Sequence, residues 1–220
     1  MGEQECYPRT PCILDAEVRK EIPTCPVPTR NARFCAARAL KWASEQQAWL
    51  SEQVGKSAVP VLVVPGARLP VFGVERRVEW APQAPRAVRV EGDALHLGGP
   101  EETVGRRIER WLKAEALDLM AHESHEIAER AGLRVGRVGV GDPRSRWGSC
   151  SSTARLSFSW RLIFAPREVM EYVVAHEVAH LRHMNHSPAF WNAVSVLCPD
   201  YDAAKDWLKM HGKDLYRFNA

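Results

Sequence analysis

The 220-residue chain has no apolar run long enough to cross a membrane. Its longest, Ala58–Pro65, falls far short of the ~20 residues a bilayer requires. Near Met1 there is no basic segment followed by an apolar core, so no secretory leader is expected. The six cysteines form no Cys-x-x-Cys pair, which argues against a zinc ribbon. Four of them (Cys6, Cys12, Cys25 and Cys35) crowd into the first 35 residues, and without an export signal they are expected as reduced thiols in a cytoplasm. Charge of one sign is scarce too. The 30 Lys and Arg against 27 Asp and Glu leave only +3, too mild to argue for nucleic acid. Arginines at Arg76–Arg77, Arg106, Arg107, Arg110 and Arg144 read as solvated surface. Neither a glycine-rich phosphate loop nor a carboxylate cluster suited to Mg²⁺ is visible, and no internal repeat occurs.

What is present is an ordinary globular balance, 45% apolar and 26% charged, in a chain long enough to bury a sizeable core. That balance excludes collagen, coiled coil and wholesale disorder. Residues 1–35 carry five prolines and no periodicity, and are expected to be irregular or disordered. Residues 36–54 turn helical, with Leu40, Ala43, Gln47 and Leu50 on one face and Gly55 closing the turn. Residues 59–97 read as short strands: Val59–Val64, Val71–Val74, Arg77–Trp80, and a hairpin of Ala87–Val90 with Ala94–Leu97 about Glu91-Gly92-Asp93. A long helix is expected from Glu101 to Ala131, striped by Val104, Ile108, Trp111, Leu112, Leu119 and Met120, with Gly132 after its end. Strands at Leu133–Val140 and Arg155–Trp160 follow. Pro166 opens a helix to about Met184, Ser187-Pro188 starts another that Cys198-Pro199 ends, and Asp200 caps a last one that stops near Gly212. The organisation is therefore an N-terminal segment (1–35), a helix plus a small β region (36–100) and a C-terminal catalytic domain (101–220).

The chemistry lies in His176-Glu177-Val178-Ala179-His180. Residues four apart on a helix differ by only ~40° in direction, so both imidazoles project from one face and can share one tetrahedral zinc ion. Glu177 lies beside them, placed to take a proton from a water that the metal activates. His186 follows six residues later, after Asn185, which tolerates the turn needed to reverse the chain. The set H-E-x-x-H-x5-H supplies three protein ligands and leaves a fourth position open, as a catalytic zinc requires. Metzincins share the span from first to last ligand, but they place glycine where His183 stands here. His183 and His211 read as surface histidines. Val169, Met170, Val173, Val174 and Leu181 nearly encircle the helix, which marks it as buried and its side chains as rigidly held.

Three motifs in order carry a resemblance: Arg146-Trp147-Gly148-Ser149-Cys150-Ser151, Tyr172–Leu181, and Asn185-His186-Ser187-Pro188-Ala189-Phe190-Trp191. Together they resemble the YgjP-like metal-dependent hydrolases, a zincin-type family related in form to the SprT-like and WLM proteases. The resemblance is strong over 100–220 and loose over 36–100, while residues 1–35 depart from the Arg- and Val-rich strands with which the family opens. It implies an α+β zincin-like fold, a small β-sheet packed against a central metal-binding helix. It implies one zinc ion per chain on His176, His180 and His186, with Glu177 as catalytic base. It places Arg146–Ser151 next to the site, with Arg146, Gly148 and Ser149 as candidate substrate-binding residues. Trp147 reads as packing, and Cys150 as a small buried residue with no activating base.

The leading expectation is a zinc-dependent hydrolase, a metallopeptidase acting on a peptide or protein substrate, with a strand such as Arg155–Trp160 pairing with the extended peptide. The same resemblance leaves a metal-dependent nucleotide (UTP) pyrophosphatase open, with Arg144 and Arg146 on phosphate. A DNA-associated protein or protease and a zinc-stabilised interaction module remain further alternatives. No membrane partner is expected. Substrate identity and oligomeric state are not written in the residues.

Overall fold

In a computed structural model, residues 60–219 are described, together with Lys41 and Ser44, both helical. The expected irregular segment 1–35 and the rest of the helix 36–54 lie outside the described residues. So does Val59, and the strand expected from it is confined to β1, Val61–Leu62.

Two hairpins follow. β2 (Arg68–Val71) and β3 (Val74–Trp80) pair antiparallel across Phe72-Gly73, so the strand expected over Val71–Val74 is corrected: its middle is the turn, and Val71 and Val74 face each other across it. β4 (Arg89–Glu91) and β5 (Ala94–Leu97) pair about Gly92-Asp93, the expected turn. Both are local pairings that short turns make easy. β3 and β5 then join in parallel to give one four-stranded sheet in the order β2-β3-β5-β4. Phe72 holds φ at +54°, which a branched ring does not favour. Its N–H donates to the Ile163 carbonyl at 2.9 Å, which ties this hairpin to the C-terminal half.

A single turn of 3-10 helix, Glu101–Thr103, leads into α1, Val104–Arg130. Val104, Ile108, Leu112, Ala116 and Met120 recur every four residues and are fully buried, while Trp111 and Leu119 pack at the margin of the same core. Gly132 adopts φ +64°, and the N–H of Leu133 reaches back to the Ala128 carbonyl at 2.8 Å. That left-handed exit is open to glycine at no steric cost and closes the last free carbonyls.

A three-stranded sheet comes next: β6 (Val138–Gly141), β7 (Gly148–Cys150) and β8 (Leu156–Ser159), in the order β6-β8-β7. β6 is shorter than expected because only these residues find a partner, running parallel to β8. After a 3-10 segment, Trp160–Phe164, α2 runs from Arg167 to Ala179 with Pro166 in the position before its first turn. It ends earlier than the expected Met184. Past Ala179 the backbone tightens, with Leu181 N–H on the Val178 carbonyl and Arg182 N–H on that of Ala179, and the chain turns away. α3 (Pro188–Leu197) and α4 (Tyr201–His211) begin and end where the Ser-Pro, Cys-Pro and Gly212 signals put them, though neither Ser187 nor Asp200 makes a side-chain cap bond. A 3-10 stretch, Gly212–Arg217, leads to β9 (Phe218–Asn219), parallel to β1.

The architecture is α+β, as expected, with α2 at its centre. Val169, Met170, Val173, Val174, Ala175 and Val178 are buried around its circumference. α1, α3, α4 and β7 pack against it. The core is one cluster, drawing Leu69, Val78, Leu95 and Leu97 from before residue 100 and the helices from after it.

Candidate metal centre

Two of the three histidines are positioned by α2 alone. His176 and His180 are buried at 5% and 8% exposure and turn the same way, their ring centroids 5.0 Å apart. The chain then reverses through Leu181–Asn185 and brings His186 back onto them. Its Nε2 stands 3.1 Å from Nε2 of His176. One nitrogen from each of the three residues falls within 4.8 Å of the others, so the group could hold a metal ion.

The donor chemistry suits a cation. Burial pushes all three imidazoles below their ordinary range, His186 to about 4; neighbouring histidines push His176 and His186 further down, while the His183 carbonyl opposes the shift at His180. They are therefore neutral, the form in which an imidazole ligates a metal. His180 Nδ1 lies 2.9 Å from the His183 carbonyl. A ring nitrogen facing a carbonyl carries the proton, which leaves Nε2 of His180 as the lone-pair atom. Nitrogens sharing one tetrahedral zinc ion stand about 3.3 Å apart, close to the observed His176–His186 separation.

Phe190 is the floor. Fully buried in the first turn of α3, its ring lies 4.5–4.9 Å from all three imidazoles. Trp191 flanks His186 at 5.9 Å, and Tyr201 stacks behind it at 5.6 Å. Rings packed on this side hold the imidazole planes in place. Phe190 and Trp191 stood in the third motif, but their role against the imidazoles left no periodic signal, because His186 lies outside α3, before the extended Ser187.

Glu177 is 1% exposed. Burial pushes its carboxyl up to about 8, against the pull of the Arg146 guanidinium. What it packs on is β7. A Cβ on Gly148 would lie 2.5 Å from Glu177 Oε1 and 2.6 Å from its Cγ, so only glycine admits the carboxylate here. Side chains alternate along a strand, so Cys150 shares the face of Gly148 while Ser149, opposite Ser157, points to the other. Thus Gly148 meets Glu177, the exposed Arg146 acts on it through charge, and Ser149 is turned away. Cys150 is pushed up to about 11 by burial and by Glu177, and stays a thiol.

The strand expected to receive a peptide is corrected. β8 is central, paired on both sides, and has no free edge; β6 and β7 are the edge strands, and β7 is the one beside Glu177. The loop into β7 is held by the C-terminus. Arg161, 4% exposed, donates through Nε and Nη2 to both oxygens of Asp142 and through Nη1 to the Phe218 carbonyl at 2.9 Å. The Tyr216 hydroxyl donates to the Pro143 carbonyl at 2.7 Å. Trp147 is buried, 5.3 Å from the Tyr216 ring and against Gly212, as packing. Apart from the Arg161–Asp142 pair, 19 residues apart, these supports join residues more than fifty apart, and none left a local signal.

No curated protein matches the chain. Three solved structures are similar in part. The metallopeptidase zymogen abylysin of Pyrococcus abyssi is 22% identical, over 48% of this chain and 99% of its own, at a TM-score of 0.37. Wss1 of Saccharomyces cerevisiae is 17% identical, over 44% of this chain and 79% of its own, at 0.35. The metallopeptidase zymogen jannalysin of Methanocaldococcus jannaschii is 17% identical, over 43% of this chain and 95% of its own, at 0.37. The model of the YgjP-like metallopeptidase domain matches residues 17–211, beginning inside the segment read as irregular and taking in α2, the chain reversal and α3. With its three histidines gathered and most of its length matched, the chain belongs to the YgjP-like metallopeptidase family.

Proposed function

We propose that this chain is a zinc-dependent peptidase in which His176, His180 and His186 hold one zinc ion and Glu177 is the general base. The observation that carries the reading is the meeting of three neutral imidazoles with a buried carboxylate from the same helix. Zinc in such a site supplies Lewis acidity, polarising a scissile carbonyl and making water acidic enough to attack near neutral pH.

The chain's own residues do the rest. Glu177, with its affinity for protons raised by burial, accepts one from the attacking water and delivers it to the departing amine. Gly148 leaves room for that carboxylate and sets its direction. The unpaired edge of β7 offers backbone donors and acceptors to an extended peptide. Arg146, exposed at the start of that edge, attracts an anionic group of the substrate. The catalytic unit in this reading is 101–220, braced by the strands before residue 100.

Metal content and casein or peptide turnover test the proposal together. Native mass spectrometry of the metal-replete protein is expected to show one zinc per chain, with His186→Ala weakening or losing it. Glu177→Gln is expected to keep the zinc and lose turnover by about 10²–10⁴-fold. Undiminished hydrolysis in Glu177→Gln, or a chain that takes up no zinc, would sink it. Hydrolysis of UTP in place of peptides would move the same site to the nucleotide reading.

A further inference from the structure

Behind the metal centre lies a second concavity that the peptidase reading does not use. It is a half-open pocket of about 490 Å³, set where the C-terminal end of α1, the turn after α2 and the outer face of α3 meet. That volume is within the ~300–1,000 Å³ of pockets that take small ligands. Its apolar surface includes Leu133 and Val196, and Val196 is 73% exposed. Its polar groups are Arg130, Arg182, His183 and Asn192. The Arg182 guanidinium is anchored at 3.2 Å on the carbonyl of Ala131, the residue after Arg130, and both arginines line the pocket. Neither forms an ion pair among the described residues. His183 shares a wall with the metal centre, because its carbonyl accepts from His180 Nδ1.

Two unpaired guanidinium groups beside an apolar surface ask for a carboxylate carried next to an apolar group. Asn192 adds a side-chain amide, which offers both donor and acceptor to a peptide link. A long polyanion would not gain from Val196 and Leu133, and a neutral apolar ligand would leave the arginines unused. We propose that this pocket binds the C-terminal end of a peptide, its free carboxylate between Arg130 and Arg182 and an apolar last side chain against Leu133 and Val196. The site lies outside the residues assigned to hydrolysis and does not depend on that assignment.

Fluorescence anisotropy tests it, on the full chain carrying Glu177→Gln so that no probe is cut. The probe is a fluorescein-labelled hexapeptide ending in Ala-Val-Leu with a free carboxylate. The same peptide as its C-terminal amide is expected to bind at least tenfold more weakly. Arg130→Ala and Val196→Glu, both at exposed positions that leave the core intact, are each expected to weaken the free acid about fivefold or more. The proposal is overturned if acid and amide bind alike, if both substitutions leave affinity unchanged, or if no binding appears up to millimolar peptide. It is also overturned if a C-terminally amidated peptide with an internal aspartate binds as well as the free acid. Since the readout is binding without turnover, its failure leaves the peptidase reading standing, and loss of that reading leaves this one.

Discussion

α2 and α3 both face the histidine cluster, and they do so in opposite ways. Beyond its exposed first turn, α2 is buried on every side, from residue 172 through 179. α3 buries only Phe190 and Val194 and leaves Val196 and Asn192 to solvent. The first fixes two imidazoles by helix geometry alone. The second brings the third imidazole by a turn and pins it with one ring. A metal site built this way has a rigid half and an adjustable half, and the two should fail differently.

Removing a donor from the rigid half gives the largest effect. His176→Ala is expected to abolish zinc binding and turnover, and also to open a void beside Phe190. His186→Ala is expected to be milder in metal affinity, because His186 is half-exposed and water can enter its place. Titration with a competing chelator ranks the two, and equal losses would erase the proposed division. Next comes the floor. Phe190→Ala should destabilise by about 3–5 kcal/mol, the usual cost of emptying a buried ring site. Phe190→Leu should recover most of the stability but less of the zinc affinity. Thermal melts with and without zinc separate those two readouts.

Gly148→Ala probes the link between sheet and helix. Its Cβ would collide with Glu177 along the side chain, so the carboxylate must swing away. Turnover should drop by about 10²-fold, the scale of an ångström's misplacement, with zinc stoichiometry unchanged. A variant that loses its metal instead would show that β7 supports the ligands and not the base.

This contrast also explains what was legible in the residues. The His176–His180 pair could be read because helix periodicity is local and the chain writes it in five residues. The helix ends at Gly132 and Cys198-Pro199 and the hairpin about Gly92-Asp93 were likewise readable, each being decided by neighbours in sequence, whereas the strand read over Val71–Val74 ran through the Phe72-Gly73 turn. The parallel β3–β5 pairing was not, since nothing in either strand names a partner across the intervening hairpin. Gly148 was marked by a motif, but its reason, a carboxylate 29 positions away, exists only in three dimensions. The edge strand was misassigned for a related cause: β7 is only Gly148-Ser149-Cys150, too short to show a strand pattern, and only the order β6-β8-β7 reveals that β8 is covered on both sides.

The smallest expected effect concerns the brace behind β7. Arg161 holds Asp142 below its ordinary pKa of 3.8, chiefly through their paired hydrogen bonds. A carboxylate depressed on folding stabilises the fold above its unfolded pKa, and the gain is lost as pH falls through the lower folded value. The window therefore opens below about pH 4. The Asp142 side chain is 38% exposed, so solvent screens the pair and its contribution should be about 1 kcal/mol or less. Asp142→Asn should lower the melting temperature slightly at pH 7, and the gap to the parent should close as pH approaches 2. A gap that stays constant with pH would assign the role of Asp142 to hydrogen-bond geometry and not to charge. In either case Arg161 keeps its bond to the Phe218 carbonyl, so the C-terminus should stay docked while the loop before β7 loosens. Faster amide hydrogen exchange at Trp147–Cys150, without a change at Phe218, is the expected signature.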